Sequence, residues 1–294
     1  MYRRILVVTG DQWRSDTPVT YAMALAAETG AELSLLMCLS PPLMAGMADV
    51  MACTLVVERI MAESATVLAD IAARAEQAGI ASTTRVRWGS PADAVLRTAE
   101  DEACDLIIVG SHAWTWRGHR VLRHVIKQLT TLARQPLLIV TAPPDETYRG
   151  TSWARLLVVH DDSPAGEAAV GYARSLAHEA GRDVCLLHTH RLLQSCGTDP
   201  LRDIPPVEDT VTVTGARTVT LPMSDDIVLA SGNIVTAIIE TATDRACDVI
   251  ILGAAPHRGW KRLWSTPTTE AVMADTTLPL LLVNHLATYS DAWL

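Results

Sequence analysis

Cations gather at two places in this chain: Arg117, His119, Arg120, Arg123, His124 and Lys127 in one stretch, His257, Arg258, Lys261 and Arg262 in another. Arg120, Arg123 or His124, and Lys127 recur at three- and four-residue intervals, so on a helix they share one side. Such a stripe can hold a phosphate or another anionic head group through charge-assisted hydrogen bonds. The same pattern suits the solvated basic face of a surface helix. Trp114 and Trp116 lie beside the first cluster, Trp260 and Trp264 within the second. Indole rings there can stack on a ligand or pack between domains. A different chemistry is offered by His188-Thr189-His190, whose spacing puts both imidazoles on one face of an extended chain. A metal would need a third ligand, from His160 or His257, and no sequence spacing supplies one. Partly buried, hydrogen-bonded histidines and no metal are therefore expected. The signatures G-x-S-x-G, G-K-[ST] and H-E-x-x-H are absent from the sequence, so no catalytic residue is assigned and an enzyme is not expected.

Positioning such groups takes a scaffold, and the chain of 294 residues builds one twice. DEACDLIIVG at 101–110 returns as DRACDVIILG at 244–253, with one charge reversal and two aliphatic exchanges. The repeat distance is 143 for Cys104 with Cys247, Gly89 with Gly232 and Pro136 with Pro279. Nearer the start of each copy it is 151, for Arg4 with Arg155, Tyr21 with Tyr172 and Gly30 with Gly181. One net eight-residue deletion in the second copy, between Gly181 and Gly232, accounts for both distances. An internal duplication of this length predicts two domains, 1–142 and 153–294, joined by the short turn-rich segment from Ala142-Pro143-Pro144 to Ser152.

Each copy alternates short continuous apolar runs with longer helical ones, the pattern of a parallel sheet covered on both faces. Strands are expected at Ile5–Val8, Leu33–Cys38, Thr83–Trp88, Leu106–Val109 and Leu137–Val140, and again at Leu156–Val159, Val184–His188, Ile227–Ala230, Val249–Leu252 and Leu280–Val283. Between the first five lie helices over Pro18–Thr29, Val50–Ala78, Pro91–Ala103 and His119–Arg134, with Thr17 and Ser90 as caps before first-turn prolines. In the second copy the second helix is missing. Asp209–Pro222 alternates Thr and Val around Gly215-Ala216, which predicts a β-hairpin after a Pro- and Gly-bearing loop.

The formal charge of −9 and pI near 5.4 exclude a sequence-independent nucleic-acid binder, which needs a net basic surface. Apolar runs fall far short of the roughly 20 residues that span a bilayer, and Ile5–Val8 is too short for a secretory leader, so the cytoplasm is the expected compartment. Six cysteines without a C-x-x-C pair read as idle thiols.

The opening segments ILVV to YAMALAAETGAEL and LLVV to YARSLAHEAG, the stretch GSPADAVLRTAEDEACDLIIVG, and the closing QPLLIV and LPLLLV resemble universal stress proteins, in tandem. The resemblance implies two doubly wound, Rossmann-like α/β domains of the adenine nucleotide alpha hydrolase-like type. Each would carry a five-stranded parallel sheet in the order 3-2-1-4-5, with the domains pairing through their last strands and with room for a further dimer.

Many such domains bind ATP through G-x2-G-x9-G-[ST] after the fourth strand, where glycines let backbone N–H groups reach phosphates and the last pair opens a helix. The corresponding residues are Gly110, Ala113, Arg123 and His124 in copy one, and Gly253, Pro256, Thr266 and Pro267 in copy two. The spacing survives while the chemistry is degraded, since Pro removes donors and Arg123 puts a long side chain where bare backbone should meet phosphate. The family carboxylate after the first strand aligns with Gly10, one position before Asp11, and with Asp161. Asp161 and Ser163 are also ordinary caps for a helix opening at Pro164. The candidate nucleotide- or anion-binding set is thus Asp161, Gly253, His257, Arg258, Gly259 and Thr266 in copy two, with Asp11, Gly110, Arg120, Arg123 and His124 in copy one. The leading expectation is a non-enzymatic stress-response module that binds a protein partner or small anionic ligand. The alternatives are a regulatory protein with one working ATP or AMP pocket in copy two, and a weak nucleotide hydrolase.

Overall fold

A computed structural model describes residues 2–9, 17–39, 50–110, 118–140, 153–161, 163–188, 226–229, 233–254 and 266–284. The first copy runs β1 (Arg4–Thr9), α1 (Thr17–Thr29), β2 (Glu32–Leu39), α2 (Val50–Gln77), β3 (Ser82–Trp88), α3 (Pro91–Asp101), β4 (Leu106–Gly110), α4 (Gly118–Leu132) and β5 (Leu137–Val140). The second gives β6 (Arg155–His160), α5 (Pro164–Ala180), β7 (Asp183–His188), β8 (Asp226–Leu229), α6 (Ile234–Asp244), β9 (Val249–Ala254), α7 (Thr266–Asp275) and β10 (Leu280–Asn284). Every expected strand is present, mostly longer by a residue at one or both ends. Ser90 caps α3, its hydroxyl accepting from the Asp93 N–H at 3.5 Å, whereas Thr17 is itself the first helical residue of α1. The segment Asp209–Pro222 lies outside the described residues.

The ten strands form one sheet, ordered β3-β2-β1-β4-β5-β10-β9-β6-β7-β8. Each half keeps the order 3-2-1-4-5, all parallel, and the halves join where β5 meets β10 antiparallel. Period-two alternation sends Ile5, Val7, Leu35, Ile108, Leu156, Val158 and Ile251 to one face and Leu6, Val8, Leu36, Val109, Leu157, Val159 and Leu252 to the other. Helices α1, α2 and α5 cover the first face with residues such as Leu25, Ile71 and Ala173. Helices α3, α4, α6 and α7 cover the second with Val95, Leu129, Ile238 and Val272. Both cores run unbroken across the joint.

That joint is reciprocal. Leu138 faces Leu281, its own equivalent in the other copy, while Leu137 faces Leu282 and Ile139 faces Leu280. Around it the same positions meet twice: Tyr172 donates to the hydroxyl of Tyr2 at 2.8 Å, and Trp153 Nε1 donates to that of Tyr21, where Trp153 is the 151-residue equivalent of Tyr2. This self-complementary exchange is what a twofold contact requires. Trp153 is buried, with the Arg182 guanidinium 5.5 Å from its ring centre. A polar contact also crosses the joint: Asn284, buried at the end of β10, donates its amide to Thr130 O and Ala133 O, both at 3.1 Å. It thereby satisfies carbonyls that the C-terminus of α4 leaves open.

At the opposite, amino edge the copies are stapled alike. Asp105 Oδ2 accepts from Arg3 N and Arg4 N at 2.7 and 3.0 Å, and Asp248 Oδ2 accepts from Arg155 N at 2.8 Å. Arg4 Nη1 reaches Glu102 O, and Arg155 Nη1 reaches Arg245 O. Ala103 and Ala246 follow with φ of 50° and 49°, a left-handed turn doubled with the sequence. In copy one Glu102 also takes Arg85 and, at 3.2 Å, Thr83, tying edge strand β3 to the end of α3. Burial opposes ionisation of Glu102, but the polar groups of Ser34, Arg85 and Thr83 outweigh it and hold the carboxyl below its ordinary range.

Two outcomes follow. Replacing Asn284 by Ala strands two carbonyls at the joint and is expected to cost about 1–3 kcal/mol in urea unfolding; an unchanged midpoint would show the cap to be idle. Because the folded Glu102 pKa is depressed, its contribution is complete above the unfolded carboxylate pKa and lost as pH falls through the folded value. Glu102→Gln should therefore flatten stability against pH as pH falls through and below the ordinary carboxylate range, read as melting temperature at each pH.

Candidate functional site

In a doubly wound sheet the carboxyl ends of the strands open toward ligands, and the strand order reverses beside β1 and β6. There the structure brings together Thr9 and Gly110 in the first half, and His160, Asp161, His188, Gly253 and Ala254 in the second.

The second half is the better defined. Ser163 has extended backbone (φ −91°, ψ 155°) and caps α5, with Pro164 supplying the first helical position. Its Oγ accepts from Gly166 N at 3.0 Å and donates to Asp161 Oδ1, which also accepts from Ser163 N at 3.2 Å. Asp161 thus holds the cap that starts the helix, as its alternative reading supposed. Its carboxylate also stands where helix N–H groups and dipole favour negative charge.

Gly166 was not singled out in the sequence, although a glycine in a first helical turn is disfavoured enough to be a signal. A Cβ on it would lie 2.7 Å from Asp161 Oδ1 and 3.4 Å from His160 Cδ2. Gly253 is tighter still: a Cβ there would stand 2.2 Å from Ala165 O and 2.7 Å from Gly166 N. In the first half a Cβ on Gly110 would meet Pro18 Cγ at 2.6 Å. Both first glycines of the phosphate pattern are therefore required by strand-to-helix packing, whatever else they contact.

Of the other expected residues, His124 and Lys127 are exposed on α4. Arg120 and Arg123 belong to the same helix, so in the first half the last pair of the pattern lies inside α4 and not at its start, whereas in the second Thr266 opens α7. Asp11, His257, Arg258 and Gly259 lie outside the described residues, as do His190 and the four tryptophans at 114, 116, 260 and 264. His188 is partly buried and contacts His160 Nδ1 to Nδ1 at 3.0 Å, the rings stacked at 5.2 Å and 27°. Among the described residues Cys38, Cys104, Cys185 and Cys247 are free thiols, with Cys38 and Cys104 pushed up to about 12, chiefly by burial. That suits inert core residues.

A doubly wound, mostly parallel sheet covered by helices on both faces defines a Rossmann-like α/β protein, made here from two copies. The Universal stress protein family matches residues 1–141 and again 152–284, and the chain belongs to that family. It is similar to a universal stress protein from Archaeoglobus fulgidus DSM 4304, 16% identical over 96% of each chain, with a TM-score of 0.69. A putative universal stress protein from Pseudomonas aeruginosa UCBPP-PA14 is 17% identical over 97% of this chain and 95% of its own, at 0.61. A universal stress protein solved in complex with cAMP is 24% identical over 48% of this chain and 97% of its own, at 0.34. No curated protein matches the chain.

Gly253→Ala is expected to destabilise the chain by about 1–3 kcal/mol or more, because the added methyl meets helix backbone. Gly110→Ala should cost less, since it meets a proline ring edge that can repucker. Equal midpoints for the two variants in chemical denaturation would refute the packing argument.

Proposed function

We propose that this chain is a non-enzymatic stress-response module whose two domains, 1–142 and 153–294, present the carboxyl edge of one fused sheet to a protein partner or a small anionic ligand. The observation that carries the reading is the close approach at Gly253 and Gly110. With Ala165 O and Pro18 Cγ already against these glycines, their missing side chains serve the fold and are no evidence of a phosphate cradle. Asp161 is engaged in the α5 cap, and the remaining positions of the pattern are Ala113, Arg123 and His124, or Pro256, Thr266 and Pro267. The cradle is degraded in both halves. No described helix is long and apolar enough to cross a membrane, which accords with a role in the cytoplasm.

A second reading is favoured by one feature: in the second half Asp161 and Gly253 both pack against the first turn of α5. An ATP or AMP pocket, if the protein has one, is there. Acid extraction of the purified chain followed by nucleotide chromatography, together with calorimetry of MgATP into the intact chain, separates the two. The proposal expects no co-purified nucleotide and no binding tighter than about 100 μM, roughly −5.5 kcal/mol. One equivalent bound below a micromolar and weakened at least tenfold by Asp161→Asn would establish the pocket instead.

A further inference from the structure

The pair formed by His160 and His188 has no counterpart in the first copy. The parallel register that sets His160 opposite His188 sets Thr9 opposite Met37 at the equivalent place, and Thr9 Oγ1 there donates to Leu36 O at 3.2 Å. The second copy thus carries two nitrogen ligands where the first carries a hydroxyl and a thioether. His160 is 6% exposed and His188 only partly buried, so one ring is fixed by packing and the other is reached from the carboxyl edge.

Neutral imidazole nitrogens suit zinc, copper and nickel. With metal–nitrogen bonds of about 2.0–2.1 Å, two ligands at a right angle stand about 2.9 Å apart, and two at the tetrahedral angle about 3.3–3.4 Å. The hydrogen bond between the two rings already holds the Nδ1 atoms 3.0 Å apart, close to the right-angle spacing. From this juxtaposition we infer that His160 and His188 form a two-imidazole site for a divalent transition metal of tetragonal preference, Cu(II) or Ni(II), at the carboxyl edge of the second half.

In the metal-free pair one Nδ1–H donates to the other Nδ1. On binding, that ring moves its proton to Nε2 through solvent, two metal–Nδ1 bonds form and two metal-bound waters leave, with no net change in protons or redox state. The broad χ2 torsion of the more exposed His188 lets its lone pair turn onto an ion held by His160. Among the described residues no third His, Cys, Asp or Glu joins the pair, so water completes the coordination.

The test uses the full chain, stripped with a chelator and titrated with CuCl2 or NiCl2 by calorimetry, with frozen-solution electron paramagnetic resonance on the copper form. One equivalent is expected, with hyperfine splitting from two imidazole nitrogens, weakened tenfold or more in His188→Gln and His160→Asn and unchanged in His178→Gln. Circular dichroism and melting are measured on each variant. Should His160→Asn fail to fold, His188→Gln decides, its side chain being the less buried. Affinity and splitting unchanged in a folded His188→Gln, or binding lost with His190→Gln or His257→Gln while His188→Gln retains it, would overturn the site. So would the absence of saturable binding, which would leave an imidazole–imidazole hydrogen bond only.

Discussion

Everything in this molecule hangs on the antiparallel meeting of β5 and β10. A parallel five-stranded sheet with helices on both faces still exposes the backbone of its outer strands, and the last strand of each copy is four or five residues of nearly pure Leu, Ile and Val. Left open, such an edge is a template for unwanted pairing. Joining the two last strands removes both edges at once and lets the apolar layers on either face become continuous. The register that does this is centred on Leu138 and Leu281, so each copy offers the other what it receives. Tyr2, Tyr21, Trp153 and Tyr172 then fall into place as reciprocal polar-tipped aromatics, and the amide of Asn284 closes the end of α4.

The scaffold was legible because it is written in patterns that local physics enforces. Continuous apolar runs such as Ile107–Val109 and Val249–Leu252 are intelligible only as strands buried on both faces, and the two repeat distances fixed which runs correspond. Helix ends followed from Ser90-Pro91 and Ser163-Pro164. The close approaches were not legible. A motif alone marks Gly110 and Gly253 as phosphate-facing, whereas their contacts with Pro18 and Ala165 depend on how tightly each helix returns to its sheet. Nor does spacing reveal that His160 and His188 share a register, since they sit 28 residues apart and meet only through strand order.

A duplicated chain also carries its own comparison. At the amino edge the copies agree in detail: an Asp before the fourth strand grips the first strand, an Arg on that strand reaches the end of the third helix, and an Ala takes a left-handed turn. These interactions connect strands to helices and say nothing about ligands. At the carboxyl edge the copies part company, with Thr9 against His160 and Met37 against His188 in positions of identical register.

That polarity follows from what each edge must do. The groups just named at the amino edge bond to one another within the fold, so a change there costs hydrogen bonds and is opposed by stability. The carboxyl edge opens to solvent, where a side chain can change at little cost to folding, and chemistry is free to differ between copies. The phosphate pattern keeps only its first glycine in each half, yet the second half retains Asp161 and places two imidazoles beside it. Among the described residues, then, the scaffold matches between the copies at one edge and differs in its side chains at the other.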